Sequence, residues 1–505
     1  MPVSHDEPFI DDAGSAAWSN KHATYSQNVR RQWTLWRPTG PATPERYNAT
    51  TRGIQRLLAD ARQQQVRVRA YGGGWSFSGA PATDGWLVNT KGADYRFRLG
   101  PALVEPSYAP GPSGLRFIQT GNTVTLLNEE LRREGLSLRT CGASNGQTMV
   151  GAMSTGTHGS ALDVGSVQDY VRGIHLVTGP DRHVYLEPAS LPVASPAFAQ
   201  RIAAPFVRND ALFRAAMVNL GGLGIVHGVL IETDPLFLLH RQRMKYGLDS
   251  ALRKAIRTLD VSGLPFPPGL TRPFHLDIVM NPYDAAHTAW VTVMTKEPYT
   301  DGYTPPARPT GGLGPGDTLL SVMGRLFDVL GDAIPAAMTA LLNMQFHAGE
   351  VTGTLGEIFG DTTTEGQAAG AGFGISADRA EEALDVVLST MGAGGPYPCL
   401  VALRFVKGTV ATLGFTRFPE TCIIDLDGPM SPKTRDCYQR VRAALVAAQI
   451  PYTQHWGKIV DLNATDVRTC YGPAVDAWKD ARNQLLTSEE RRAFSNTFLE
   501  GLGLA

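Results

Sequence analysis

The chain lacks any excess of charge of one sign. Lysine plus arginine number 46 and aspartate plus glutamate 47, a formal balance of −1 over 505 residues. Such a balance gives no global field to hold nucleic acid or an anionic membrane. Cysteine is scarce. The five (Cys141, Cys399, Cys422, Cys437, Cys470) are odd in number and never form CxxC, so neither a disulfide framework nor a zinc site is legible. No run of 18 apolar residues occurs, and no transmembrane helix is expected. The opening MPVSHDEPFIDD is acidic and carries no apolar stretch of the secretory kind. The expectation is a cytoplasmic protein with no nucleic-acid partner and no membrane insertion; oligomeric state stays open. What is present is apolar material, 43% of residues, enough for sizeable cores. Gly 54 and Pro 34 favour many tight loops over a helical bundle.

Hydrophobic periodicity divides the chain. Residues 1–45 read as an irregular arm anchored by Trp18, Trp33 and Trp36. Helical spacing follows over Thr51–Gln65, then an alternating strand, 66–70, running into Gly72-Gly73-Gly74. Strand signals recur at 86–89, 115–120, 170–178 and 224–232, with a helix over 124–134. Beyond about Phe237 the texture changes. Strands are expected at 275–280, 289–295, 399–406 and 422–427, and helices over 319–346, 377–390 and 435–449; 353–374 reads as a Gly/Thr-rich loop. The expected fold class is α+β, divided as 1–236, 237–450 and a C-terminal segment 451–505 returning to the first domain.

Three segments carry chemistry. The first is Tyr71-Gly72-Gly73-Gly74-Trp75-Ser76, after a strand. It reads either as a plain Gly-rich turn or as a nest whose N–H groups take anionic oxygens and let a pyrophosphate approach. The second runs from Gly142 to Ser160, too polar and too Gly-rich for a core element, and it lacks the lysine of a P-loop. It includes Gly142, Thr148, Gly151, Ser154, Thr155, His158 and Gly159. It reads as an exposed loop or as a wrap around a large polar ligand, with Met149, Val150 and Met153 speaking for partial burial. The third, Leu220-Gly-Gly-Leu-Gly224-Ile225-Val226, is a weaker signal that strand entry explains equally well.

In this order, strand–GGGWSFS, GQTMVGAMSTGTHGS and LGGLGIV resemble the flavin domain of the vanillyl-alcohol oxidase superfamily, of the PCMH type. Gln454-His455-Trp456-Gly457-Lys458 and the terminal FSNTFL resemble the signature of its sugar-lactone and alditol oxidases. The resemblance implies two domains, one binding FAD and one binding substrate on an antiparallel sheet flanked by helices. It implies that Tyr71 to Ser76 meet the FAD pyrophosphate. Thr148, Gly151, Ser154, Thr155, His158 and Gly159 would line the cofactor, and Gly224, Ile225 and Val226 would touch its adenine side. The implied activity is that of an FAD-dependent oxidase, drawing a hydride from a hydroxylated carbon of a small molecule, with O2 as acceptor. FAD-dependent oxidative decarboxylation and a catalytically silent flavin-binding protein are the alternatives. A role in secondary metabolism follows only by analogy.

The departures from the pattern matter. Where many relatives carry a histidine bonded to the flavin, this chain has Trp75, so FAD is expected without a covalent bond there; a cysteinyl link through Cys141 is the remaining route. The Glu-x-Arg pair of alditol-oxidase-like members becomes Ala402-Leu403-Arg404, and their substrate serine falls at Ala143. A polyol would leave hydroxyls unpaired against these methyl groups. Gly142 stands where a small residue opens the flavin to O2 in relatives. Arg404 and Lys458 are candidate catalytic cations; the lesser readings are a surface or domain-interface salt bridge for Arg404 and a solvated charge for Lys458. Asp425 and Asp427 share one strand face and are candidate proton acceptors, or a solvated edge.

Overall fold

A computed structural model describes residues 10–36, 43–142, 145–284, 287–306, 331–360 and 368–505. The helix Pro44–Gln63 starts where Thr43 caps the Arg46 N–H and proline occupies the first turn. Its buried stripe includes Tyr47, Ile54, Leu57, Leu58 and Ala61. Two sheets flank it. One has four strands in the order Ile10–Ser19, Ser26–Trp36, Trp86–Gly92, Val68–Tyr71. The arm expected to be irregular is therefore a hairpin, and its second strand runs parallel to Trp86–Gly92. Three tryptophans spread over 1–36 concealed the alternation. The other sheet has six strands in the order Phe206–Arg208, His183–Glu187, Val171–Val177, Ile225–Glu232, Leu115–Gln119, Arg96–Arg98.

The second half forms an eight-stranded antiparallel sheet. Its order is Gly349–Gly353, Phe237–Tyr246, Ala289–Pro298, His275–Met280, Leu400–Lys407, Glu420–Pro429, Ala368–Ser376, Tyr452–Gln454. Four of these strands escape the sequence reading: the short Gly349–Gly353 and Tyr452–Gln454, and the longer Phe237–Tyr246 and Ala368–Ser376. Phe237–Tyr246 reads FLLHRQRMKY, too charged to look like sheet interior. Ala368–Ser376 reads AAGAGFGIS; its glycines hide a period of two, with Ala371, Phe373 and Ile375 on one face and Gly370, Gly372 and Gly374 on the other.

Alternation fixes what each face meets. Val401, Leu403, Phe405, Ile424 and Leu426 pack against the helices Ser250–Thr258, Ala380–Gly394 and Pro432–Ala447 in one core. The opposite face, with Val406 and Ile423, joins the core of the first half. That core also takes Val467, Tyr471, Trp478, Phe494 and Leu499 from the C-terminal helices. The expected 319–346 helix is described only from 331, where it runs Ile334–Gln345; the remainder lies outside the described residues. Among the described residues no helix is long and apolar enough to cross a membrane.

Histidines knit helix Pro44–Gln63 to the six-stranded sheet. The Tyr47 hydroxyl meets His175 Nδ1 at 2.6 Å, His175 Nε2 meets His183 Nδ1 at 2.9 Å, and Gln119 meets His227 Nε2 at 2.8 Å. Burial, with His183 nearby, pushes His227 down to about 3. An unfolded histidine titrates near 6.5. Below that pH the unfolded chain takes up protons that folded His227 refuses, so this contribution is full above about pH 6.5 and falls as the pH drops toward 3. Asp169 and Glu187, both raised by burial to about 7, act in the opposite sense, so the histidine is isolated by difference. We expect His227→Gln to gain stability relative to the unsubstituted protein as pH is lowered from 7.5 to 5.5. Thermal unfolding of both proteins checks this, and a pH-independent difference contradicts it.

Candidate functional site

A cavity of about 990 Å³ lies between the two halves. Its first wall is glycine. Strand Val68–Tyr71 ends in Gly72-Gly73-Gly74, and none of the backbone N–H groups from Gly73 to Ser76 has an acceptor among the described residues. A Cβ on Gly72 would stand 2.1 Å from Thr148 Oγ1, and one on Gly73 2.7 Å from the Gly146 carbonyl oxygen. Only glycine lets the two loops come this close. Thr148 starts the helix Met149–Thr155 by accepting the Gly151 N–H, an ordered turn inside a segment readable as loop. Arg69 pins the rim. Its guanidinium is buried and donates to the carbonyls of Gly221 (2.8 Å) and Phe494 (2.9 Å), and to those of Ala80 and Leu220. Burial, with Arg482 nearby, lowers its pKa to about 9.

The second wall is the open face of the eight-stranded sheet, where charges of alternating sign form a row. Arg404 donates through Nε to Asp277 (3.2 Å) and through one terminal nitrogen to Asp425 (2.5 Å). Lys458 Nζ lies 2.7 Å from Asp425 and 2.9 Å from Asp427. Glycine makes this reach possible. The segment from His455 to Ile459 bonds to the carbonyls of Gly372 and Gly370, and a Cβ on Gly372 would stand 2.7 Å from Asp425 Oδ1. Burial alone would raise the Asp425 carboxyl, but Lys458 and Arg404 outweigh it and hold the group well below the usual carboxylate range. Burial alone would depress Arg404 and Lys458; their carboxylate partners reverse the sign and hold both cations charged.

Two histidines and a thiol complete the lining. His158 Nδ1 lies 2.9 Å from the Gly159 carbonyl, which only accepts, so Nδ1 carries the proton and Nε2 a lone pair. His455 Nδ1 accepts the Gly457 N–H at 2.9 Å, which puts the proton of the neutral ring on Nε2. The rings lie 5.4 Å apart. Burial lowers His158 to about 4 and His455 further. Cys141 is buried and its thiol is pushed up to about 12, far from the thiolate form that bond formation needs.

The structure brings nearly all the candidate residues together. Tyr71 to Ser76, Gly142, Thr148, Gly151, Ser154, Thr155, His158, Gly159, Gly224, Val226, Arg404, Asp427 and Lys458 all line the cavity. Two do not. Ile225 is buried in the first core, and Asp425 lies behind the lining, fully buried and clamped by two cations. Asp425 is thus placed as a buried counter-ion to Arg404 and Lys458. Ala143 lies outside the described residues. The sequence reading missed Asp277, His455, Arg241 and Arg243 among the lining residues. The i, i+2 arginines of HRQRM carried a signal, two charges on one face of a strand, and His455 stood in the HWGK signature without being given a role.

Glycine-bordered N–H donors facing a deep cavity suit a dinucleotide, and the comparisons agree. Residues 47–185 match the FAD binding domain family. The whole chain shares its fold with a cholesterol oxidase from B. sterolicum (TM-score 0.69, 16% identity, 98% of this chain and 97% of that one). These matches give the chain an FAD-binding domain over the glycine loops, within a fold whose second half is built on an eight-stranded antiparallel sheet. Among its relatives by sequence are a D-arabinono-1,4-lactone oxidase of Yarrowia lipolytica (27% identity, 43% of this chain, 38% of the relative) and an L-gulono-1,4-lactone dehydrogenase of Mycobacterium tuberculosis (27%, 40% and 40%). Mouse L-gulonolactone oxidase is 25% identical over 45% of each chain. The chain covers less than half of the length of these curated relatives.

The ion row gives a graded expectation. Asp425→Asn removes a fully buried partner of two cations and lowers stability by about 3 kcal/mol. Asp427→Asn, at a carboxylate 31% exposed, costs less than about 1 kcal/mol. Denaturant unfolding of the two variants checks the order, and equal costs would contradict it.

Proposed function

We propose that the protein is an FAD-dependent oxidoreductase that oxidises a hydroxylated carbon of a small molecule, with O2 as the final acceptor. The observation that carries this reading is the cavity itself, glycine loops with free N–H donors on one wall and a fixed row of charges on the other. The N–H groups of Gly73 to Ser76 would hold the pyrophosphate, and the Gly142–Gly159 segment would border the flavin. When bound, FAD supplies a two-electron acceptor that passes its electrons to O2 as hydrogen peroxide.

The chain's own residues supply position and charge. A substrate hydroxyl donates to the lone pair of His158 Nε2, which stays unprotonated at neutral pH because burial keeps the ring near 4. His455 Nε2–H donates to an oxygen that gains negative charge. Arg404 and Lys458 place N–H donors beside the reacting atoms, and their carboxylate partners keep them still. Asp277 and Asp425 hold Arg404 through its Nε and one terminal nitrogen, which favours an anchored cation over a receptor for a substrate carboxylate. Gly142 lines the cavity without a side chain, and a Cβ there would stand 2.9 Å from Thr157 Cγ2; O2 would meet no side chain at that position.

Two outcomes are expected. Purified protein is yellow, carries one FAD per chain and releases it into the supernatant on acid precipitation, since Trp75 cannot bond flavin; a colourless protein with no affinity for added FAD contradicts the reading. Anaerobic bleaching by a hydroxylated compound separates an enzyme from a silent flavin carrier. In His158→Phe the bleaching rate falls at least about 100-fold with FAD retained, as followed by stopped-flow absorbance; an unchanged rate removes His158 from the reaction.

A further inference from the structure

We propose that the substrate carries a carboxylate, bound by Arg241 and Arg243 on the cavity face of strand Phe237–Tyr246. This substrate class rests on the oxidoreductase reading above and deepens it. Arg241 and Arg243 are two residues apart on one strand, so their side chains rise on the same face, and both line the cavity. The register shows what stands beside them. Arg241 lies opposite Met294 on one flanking strand and Val351 on the other; Arg243 lies opposite Thr292 and Gly349. None of the four is charged. Arg243 donates to Thr292 Oγ1 at 2.8 Å and its guanidinium stacks 4.6 Å from the Phe346 ring centre. Arg241 makes no hydrogen bond or ion pair among the described residues, and its Nε is buried without a partner.

Nearby carboxylates are committed elsewhere. Asp277, two strands from Arg243, is bound by Arg404. Glu350, beside the same strand, accepts from Gln242 and faces His240. Glu357 pairs with Arg132 and caps the turn at Thr354. The row thus has four cations, Arg241, Arg243, Arg404 and Lys458, and three carboxylates, Asp277, Asp425 and Asp427. One further negative charge balances it, and that charge is missing at the arginine end. Two half-buried guanidiniums side by side repel each other and are costly to desolvate; burial and Arg241 together lower Arg243 to about 10. A carboxylate seated between two planar forks relieves both costs at once. The thioether of Met294 and the ring of Phe346 beside them suit an apolar body behind the acid group.

The test uses the FAD-loaded full chain and three hydroxy acids, mandelate, 4-(hydroxymethyl)benzoate and 12-hydroxydodecanoate, each beside its methyl ester. Binding is read from the flavin spectrum and from the thermal shift, and reaction from anaerobic bleaching. At least one acid is expected to bind tenfold or more tightly than its ester. In Arg241→Met/Arg243→Met that preference disappears while FAD affinity is unchanged, and Arg241→Gln or Arg243→Gln alone loses part of it. Esters binding as well as acids, a preference that survives the double substitution, no acid binding, or loss of FAD affinity in the double variant would each overturn the assignment; the last would place the arginines on the cofactor's phosphates. Acids that bind through the arginines without bleaching the flavin leave the anion site standing and count against the oxidoreductase reading.

Discussion

The organising interaction of the site is the clamp on Asp425. A carboxylate with no solvent exposure holds its charge only because Arg404 and Lys458 reach it from two directions. Taking such a group out of water costs several kcal/mol, and close, hydrogen-bonded counter-charges offset that cost. The clamp then determines the rest of the row. It fixes Arg404 and Lys458 in position and leaves the two arginines on Phe237–Tyr246 as the cations of this row without a carboxylate partner among the described residues. Charge in this cavity is therefore arranged by subtraction.

Absent side chains do as much as present ones. On the nucleotide wall, Gly72 and Gly73 let one loop approach Thr148 and Gly146 without steric conflict. On the sheet wall, Gly370 and Gly372 clear the path by which Lys458 crosses a strand to reach Asp425 and Asp427. Both walls thus depend on backbone approach that any Cβ would obstruct, and the cavity between them is shaped before any ligand enters. Arg69, buried without a carboxylate and bonded only to carbonyls, ties residues 80, 220, 221 and 494 into one rim. Its role is mechanical, so its lowered pKa marks burial and not chemistry.

Much of this was legible in residue order. The glycine turn after a strand, the Gly/Thr/His segment and the terminal HWGK signature pointed to a flavin domain, and their residues line one cavity. Strands with apolar alternation, such as His275–Met280, were readable to the residue. The rest was hidden for physical reasons. Ala368–Ser376 is a strand whose glycines face Asp425, Asp427 and Lys458, so it hid its alternation; Phe237–Tyr246 is a strand whose cavity face carries Arg241 and Arg243, so it resembled surface. Both exceptions arise because a sheet face that lines a ligand cavity need not be apolar. Asp425 and Asp427 could be placed on one strand face, but that one is buried and the other half-exposed depends on cations brought from 21 to 33 residues away. Asp277 could not be found at all, since its partner Arg404 lies 127 positions further along the chain.

The most direct measurement is a crystal structure of the chain with FAD bound. The pyrophosphate oxygens should lie within hydrogen-bonding distance of the Gly73–Ser76 amides, and the isoalloxazine should lie between the Gly142–Gly159 segment and the Asp277–Arg404–Asp425 row. Density for the dinucleotide elsewhere, or a flavin ring turned away from that row, would contradict the assignment of both walls.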